Sequence, residues 1–227
     1  MKKEMVLYHG SQNRVESPIY GYGKPYNDYG IGFYCTEDEK MAKEWAVQKN
    51  KNGYANKYIL DLNGLNILDL TDGQYTILHW LTILLENRYF DIQSDFGEES
   101  RQYLLDNYSV NYMEYDIIIG YRADDSYFAF AQDFLNGLCS VRKLSRAMHL
   151  GQLGVQVVLK SKQSFDRIQY LESNIAEHNI WYPRKELRDI NARTEYLRNR
   201  KEKRSRDDIY MINILNEEMK PDDARLR

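Results

Sequence analysis

Gly30-Ile31-Gly32-Phe33-Tyr34-Cys35-Thr36-Glu37-Asp38-Glu39-Lys40-Met41-Ala42-Lys43-Glu44-Trp45-Ala46 is the stretch on which the fold reading turns. Two glycines lead into an aromatic run with strand propensity, Phe33 to Cys35, and the chain then passes at once into helix chemistry. Thr36 or Asp38 offers an N-cap, Glu37 to Glu39 place acids in the first turn, and Met41, Ala42, Trp45 and Ala46 share one helical stripe.

Upstream, Val6 to His9 is a short apolar run that predicts a first strand, and the turn-forming Gly10-Ser11-Gln12-Asn13 puts His9 at its end. Between them and Gly30 lies a Gly- and Tyr-rich segment, Gly21 to Gly30, without helical period; a long irregular loop in a small domain is commonly functional. Downstream, Lys57 to Asp61 and Leu65 to Leu70 are strand-like runs about Asn63-Gly64, which predicts a hairpin. Gln74 to Tyr89, with Ile77, Leu78, Leu81, Leu84 and Leu85 on one face, predicts a helix, and Ser100 to Asn107 a second. The β-branched run Asp116 to Gly120 predicts a strand that exits through Tyr121 to Asp125 into a helix ending at Leu135. Val155 to Lys160 predicts another strand, followed by a helical Ser164 to Leu171.

Irregular alternation of short strands and helices, without a repeated βαβ period, predicts α+β rather than a doubly wound sheet. After Pro183 the composition shifts: bases outnumber acids from Arg184 to Arg206, while Leu187, Ile190, Thr194 and Leu197 keep a helical stripe. The reading is therefore a domain over residues 1–172 and a helical, locally basic C-terminal extension over 173–227.

With 227 residues and a formal net charge of −3, the chain has the size for one substantial core and lacks the basic surplus of a dedicated duplex-DNA binder. The first apolar run is too short for a signal peptide and no run is long enough to span a bilayer, so a cytoplasmic protein without membrane contact is expected. Cys35 and Cys139 have no partners at metal spacing, which predicts two packing residues, no disulfide and no metal. The 20 tyrosines far exceed the 7 phenylalanines and suit half-buried surfaces facing polar ligands.

Three short motifs then line up in order: Tyr8-His9-Gly10-Ser11, Gly30-Ile31-Gly32-Phe33-Tyr34-Cys35-Thr36, and Leu153-Gly154-Val155-Gln156-Val157-Val158. In these the sequence resembles the ADP-ribosyltransferase superfamily, and within it a bacterial family known only as a domain of unknown function. That family is also similar from Asp116 to Gly120 and through Ala123-Asp124-Asp125. The resemblance implies a split antiparallel β-sheet core with flanking helices, NAD as co-substrate, and cleavage of its nicotinamide–ribose bond. It further implies transfer of ADP-ribose to a macromolecular acceptor; the basic stretch Arg184 to Arg206 could dock a nucleic acid, but the interspersed Glu186, Asp189, Glu195 and Glu202 favour a protein. A toxin or defence role, and with it a neutralising or regulatory protein partner, would fit that family.

By resemblance, His9 would hydrogen-bond a ribose hydroxyl, the backbone of Gly10 would read the nicotinamide carboxamide, and Tyr34 would stack on the nicotinamide ring. Ser11 and Thr36 would support them, with turn and cap roles as the alternative. Arg122 would meet the NAD diphosphate. At the third motif the superfamily's best-known members carry Glu, whereas this chain carries Gln156, which still hydrogen-bonds a hydroxyl but takes no proton near neutral pH. A base then has to come from elsewhere in the chain or from the substrate, with Asp124 and Asp125 as candidates and a helix N-cap as their plainer role. His79, His149 and His178 are expected to be structural. Besides the transferase, the sequence leaves open a catalytically silent NAD- or ADP-ribose-binding module and an NAD glycohydrolase.

Overall fold

The computed structural model describes residues 3–123, 125–147 and 154–226. They form a mixed α+β arrangement of two sheets and eight helices. The first sheet has the order β1 (Glu4–Ser11), β3 (Gly53–Asp61), β7 (Ile168–Ala176), all antiparallel. The second has the order β2 (Phe33–Cys35), β6 (Val155–Leu159), β5 (Ile117–Tyr121), β4 (Ile67–Asp69), with only β4 and β5 parallel. A bridge joins the sheets where their edges meet: the Tyr8 amide donates to the Thr36 carbonyl at 2.8 Å, and the Thr36 amide returns the bond at 2.9 Å.

Strand alternation sorts side chains into two cores. Phe33, Cys35, Ile117, Val157 and Leu159 face the first sheet and meet Met5, Leu7, Tyr58 and Leu60 in a small core between the sheets. Ile118 and Val158 face the other way, into a larger core built with α2 (Ile77–Asn87), α3 (Asp95–Asn107), α4 (Asp125–Leu135), α5 (Val141–Ala147) and α8 (Met211–Asn216). Trp80, Tyr108, Tyr127, Phe130 and Phe134 are all buried there, each large apolar side chain taken from water contributing ~1.5–3 kcal/mol.

α1 (Glu39–Ala46) lies on β1 and β3, and its N-cap is Asp38, whose Oδ1 accepts from the Lys40 and Met41 amides. Gly10 is what lets it settle: a Cβ at that position would run into the Ala42 carbonyl. α7 (His178–Lys201) docks on α1 through a paired contact, Arg188 Nε to Glu44 Oε2 at 2.7 Å and Nη2 to Oε1 at 2.8 Å.

Two expected elements are different in the fold. Asn63-Gly64 does not close a hairpin, because β3 is already flanked by β1 and β7; the chain instead crosses to the second sheet, where β4 pairs with β5. The helix expected over Ser164 to Leu171 stops early. α6 spans only Lys162–Asp166, capped by the Ser161 hydroxyl, and β7 follows, its Tyr170 ring packing edge-on against Tyr58 at 5.9 Å. The expected border at 172/173 falls inside β7. Beyond it, Met211, Ile214, Met219 and Leu226 enter the large core, and the Tyr108 hydroxyl donates to the Met219 carbonyl at 2.6 Å. Cys35 and Cys139 are both buried free thiols, as expected. Among the described residues no helix is long and apolar enough to cross a membrane.

Candidate functional site

A cavity of about 1140 Å³ opens where the edges of β1 and β2 diverge. It exceeds the ~300–1,000 Å³ usual for small-molecule sites and so has room for a dinucleotide-sized ligand. His9, Gly10, Tyr34, Arg122 and Gln156 all line it, from three strands and one loop far apart in the chain.

His9 sits near the end of β1, its ring 4.4 Å from that of Phe33. Its Nδ1 lies 2.8 Å from the Tyr34 carbonyl oxygen. A carbonyl only accepts, so Nδ1 carries the proton, and burial pushes the ring's pKa down, which keeps it neutral. The neutral ring with a protonated Nδ1 leaves Nε2 as an acceptor. Behind it, buried Asn56 holds the end of β1, donating to the carbonyls of His9 at 3.1 Å and Asn13 at 3.3 Å.

Tyr34 has its hydroxyl fixed on both sides, donating to the Gly30 carbonyl at 2.6 Å and accepting from the Tyr29 amide at 3.1 Å. Burial raises its pKa far above the usual phenol range, so Tyr34 offers the cavity a ring and no base.

Gln156 is opposite Gly120 on β5 and two residues along β6 from Val158, the partner of Tyr34, so it shares a face with Tyr34. Its Nε2 donates to Asp28 Oδ2 at 2.9 Å and to the Tyr121 carbonyl at 3.3 Å.

Asp28 is the carboxylate that sequence reasoning missed. It lies in the irregular loop before β2, is only 5% exposed, and also accepts from Arg88 at 3.1 Å and from the Ala123 amide at 3.0 Å. Burial raises its pKa, and these donors oppose the shift. Its neighbour Tyr29 is buried too, accepting from Trp80 Nε1 and donating to the Tyr121 carbonyl, both at 2.8 Å. The loop is thus pinned at Asp28-Tyr29; the only sequence signal for it was a long loop rich in Gly and Tyr.

The rim is basic. Arg14, Lys24, Arg88, Arg122, Lys185 and Arg193 line the cavity against three acids, Glu16, Asp28 and Asp189. Lys185, Asp189 and Arg193 come from one face of α7, spaced by four residues. The Arg122 guanidinium lies 4.9 Å above the Trp45 ring.

Other expected site residues sit apart. The Ser11 hydroxyl donates to the Asn13 carbonyl at 2.5 Å, within the turn, and Ser11 is outside the cavity lining. Buried Thr36 accepts from the Asp38 amide at 3.2 Å and faces a smaller pocket on the far side of the bridge. Asp124 and His149 lie outside the described residues; Asp125 opens α4, and its side chain is likewise outside them. His79 is structural, its Nδ1 accepting from the Thr76 amide at 3.0 Å, and the His178 amide donates to Asn52 Oδ1 at 2.9 Å. Among the described residues no group of three or more His, Cys, Asp or Glu side chains is arranged for a metal ion.

The family model described as a protein of unknown function, DUF3990, matches residues 5–170. The chain belongs to the DUF3990 family. No curated protein and no solved structure matches the chain. The DUF3990 match contains His9, Asp28, Tyr34, Arg122 and Gln156, whereas the α7 wall of the cavity lies beyond it.

Proposed function

We propose that this DUF3990 protein is an NAD-dependent ADP-ribosyltransferase, with a split-sheet core of the ADP-ribosyltransferase type. The observation that carries the reading is the meeting of His9, Tyr34 and Gln156 in one cavity, in the order and on the strands that the resemblance implies. Each offers what the reaction needs. Nε2 of neutral His9 accepts from a ribose hydroxyl, the Tyr34 ring stacks on nicotinamide, and the Gln156 amide oxygen accepts from a second hydroxyl. The basic rim suits the diphosphate. Holding the ribose and nicotinamide in fixed geometry favours departure of nicotinamide through an oxocarbenium-like state.

A second reading is favoured by one observation: neither Gln156 nor Tyr34 takes a proton near neutral pH. A binding module for NAD or ADP-ribose would need none. Labelled NAD in a lysate, with wild-type protein and Tyr34→Ala, separates the cases. Labelled macromolecule that disappears with Tyr34→Ala supports transfer to a protein or nucleic acid. Free ADP-ribose without labelled target supports glycohydrolysis, and binding without nicotinamide release supports the module.

A further inference from the structure

The Gln156 amide has two hydrogens and both are taken, one by Asp28 Oδ2 and one by the Tyr121 carbonyl. Neither partner can donate at neutral pH when Asp28 is ionised, so the orientation of the amide is forced: nitrogen inward, oxygen away. Among the described residues no donor of the chain meets Gln156 Oε1, although Gln156 is only 4% exposed and lines the cavity. Asp28 in turn is held by three donors from three other parts of the chain, Arg88 after α2, the Ala123 amide after β5, and Gln156 on β6. Three donors already hold its two oxygens, which suits an anchor better than a proton-shuttling base.

We propose that Asp28 is a positioning residue: it clamps the Gln156 amide nitrogen so that the side chain presents the ligand with an acceptor only, as a carboxylate oxygen would. This rests on the reading of the cavity as an NAD site, where the acceptor meets a ribose hydroxyl. The chain thereby separates two properties that one glutamate would combine. The cavity gains a fixed acceptor, and the negative charge stays behind it, against Arg88.

The test is a double-mutant cycle with calorimetric NAD binding, joined to melting curves that need no ligand. Asp28→Asn leaves the amide free to invert, and Gln156→Met keeps side-chain length while deleting the acceptor. Each is expected to weaken NAD binding roughly tenfold, the worth of about one hydrogen bond. The double variant loses no more than the worse single one, since both remove the same contact. Wild-type affinity in Asp28→Asn, or additive losses, overturns the proposal.

Gln156→Glu supplies the second arm. The introduced carboxyl group would face the Asp28 carboxylate and the Tyr121 carbonyl, so the two acids must share a proton. The charges facing the pair are Arg88 and Arg122, and the hydroxyls of Tyr29, Tyr34 and Tyr127 are the other titratable groups coupled to Asp28. The melting temperature of Gln156→Glu should fall relative to wild type as pH rises from acid to neutral, and Asp28→Asn/Gln156→Glu, with one carboxylate, should lose that dependence. A flat profile for Gln156→Glu overturns the coupling. A wild-type chain that binds no NAD overturns the reading of the cavity and the ligand half of this proposal, while the pH arm still decides whether Asp28 holds Gln156.

Discussion

His9 Nδ1 and the Tyr34 carbonyl oxygen, 2.8 Å apart, tie the first sheet to the second at the mouth of the cavity. The same contact that braces the split between the sheets also selects the His9 tautomer, so structure and ligand chemistry are separable by substitution. Asn can donate from the Nδ1 position but has nothing at Nε2. His9→Asn should therefore stay folded, within about 1 kcal/mol of wild type in denaturant melts, and lose NAD binding measured by calorimetry. Retained affinity would remove His9 from the site.

The pH dependence follows from the same ring. Burial holds His9 and His79 below the usual 6.5 in the fold, so the unfolded chain takes up protons first as pH falls. Their contribution to stability is present above about 6.5 and is lost as pH drops through the depressed folded values. Melting curves across this range should show wild type losing stability toward acid, and His9→Asn losing less. An identical acid limb in the two proteins would contradict the assignment of a neutral His9 in the fold.

Tyr34 offers a second separation. Tyr34→Phe keeps the ring but strands the Tyr29 amide and the Gly30 carbonyl, at a cost of about 1–3 kcal/mol in stability. NAD affinity should change little. Tyr34→Ala should instead weaken binding by about 1–3 kcal/mol, the usual worth of aromatic stacking. Equal affinity losses in both variants would mean that the hydroxyl clamp and not the ring matters.

Gly10 is explained by packing before any ligand is considered. Gly10→Ala would drive a methyl into the Ala42 carbonyl, and because backbone cannot yield as a flexible side chain does, a loss of about 1–3 kcal/mol is expected. Thermal unfolding checks it. A variant as stable as wild type would show that α1 is free to move off β1.

The Glu44–Arg188 pair fixes α7, and with it the Lys185, Asp189 and Arg193 wall. Glu44 is buried and Arg188 largely so. Glu44→Ala removes a charge-assisted two-point contact between α1 and α7 and should cost about 1.5–3 kcal/mol. Limited proteolysis should then cut within residues 178–201 before the rest of the chain; unchanged protection would show that α7 is held by its apolar contacts alone.

Local chemistry was enough for much of this. The Phe33–Cys35 strand, the Asp38 cap, the apolar face of α2 and the β-branched β5 were legible because hydrophobic period and capping depend on near neighbours. His9, Tyr34 and Gln156, which the family resemblance implies for one site, line one cavity. What neighbours cannot carry was misread. β7 looked helical because its strand pairing is with residues more than a hundred positions earlier, and the Asn63-Gly64 turn gave no sign that both edges of β3 were occupied.

Asp28 marks the boundary most sharply. In the sequence it is one acid in a loop without period, less conspicuous than Asp124-Asp125 at a helix start. Only folding brings Arg88, Ala123 and Gln156 around it, and only the loss of water there makes its bonds decisive. Which side chains can donate or accept a hydrogen bond follows from the order of residues along the chain. Which way the Gln156 amide faces follows from folding alone, because that depends on acceptors contributed by the loop before β2 and by the end of β5.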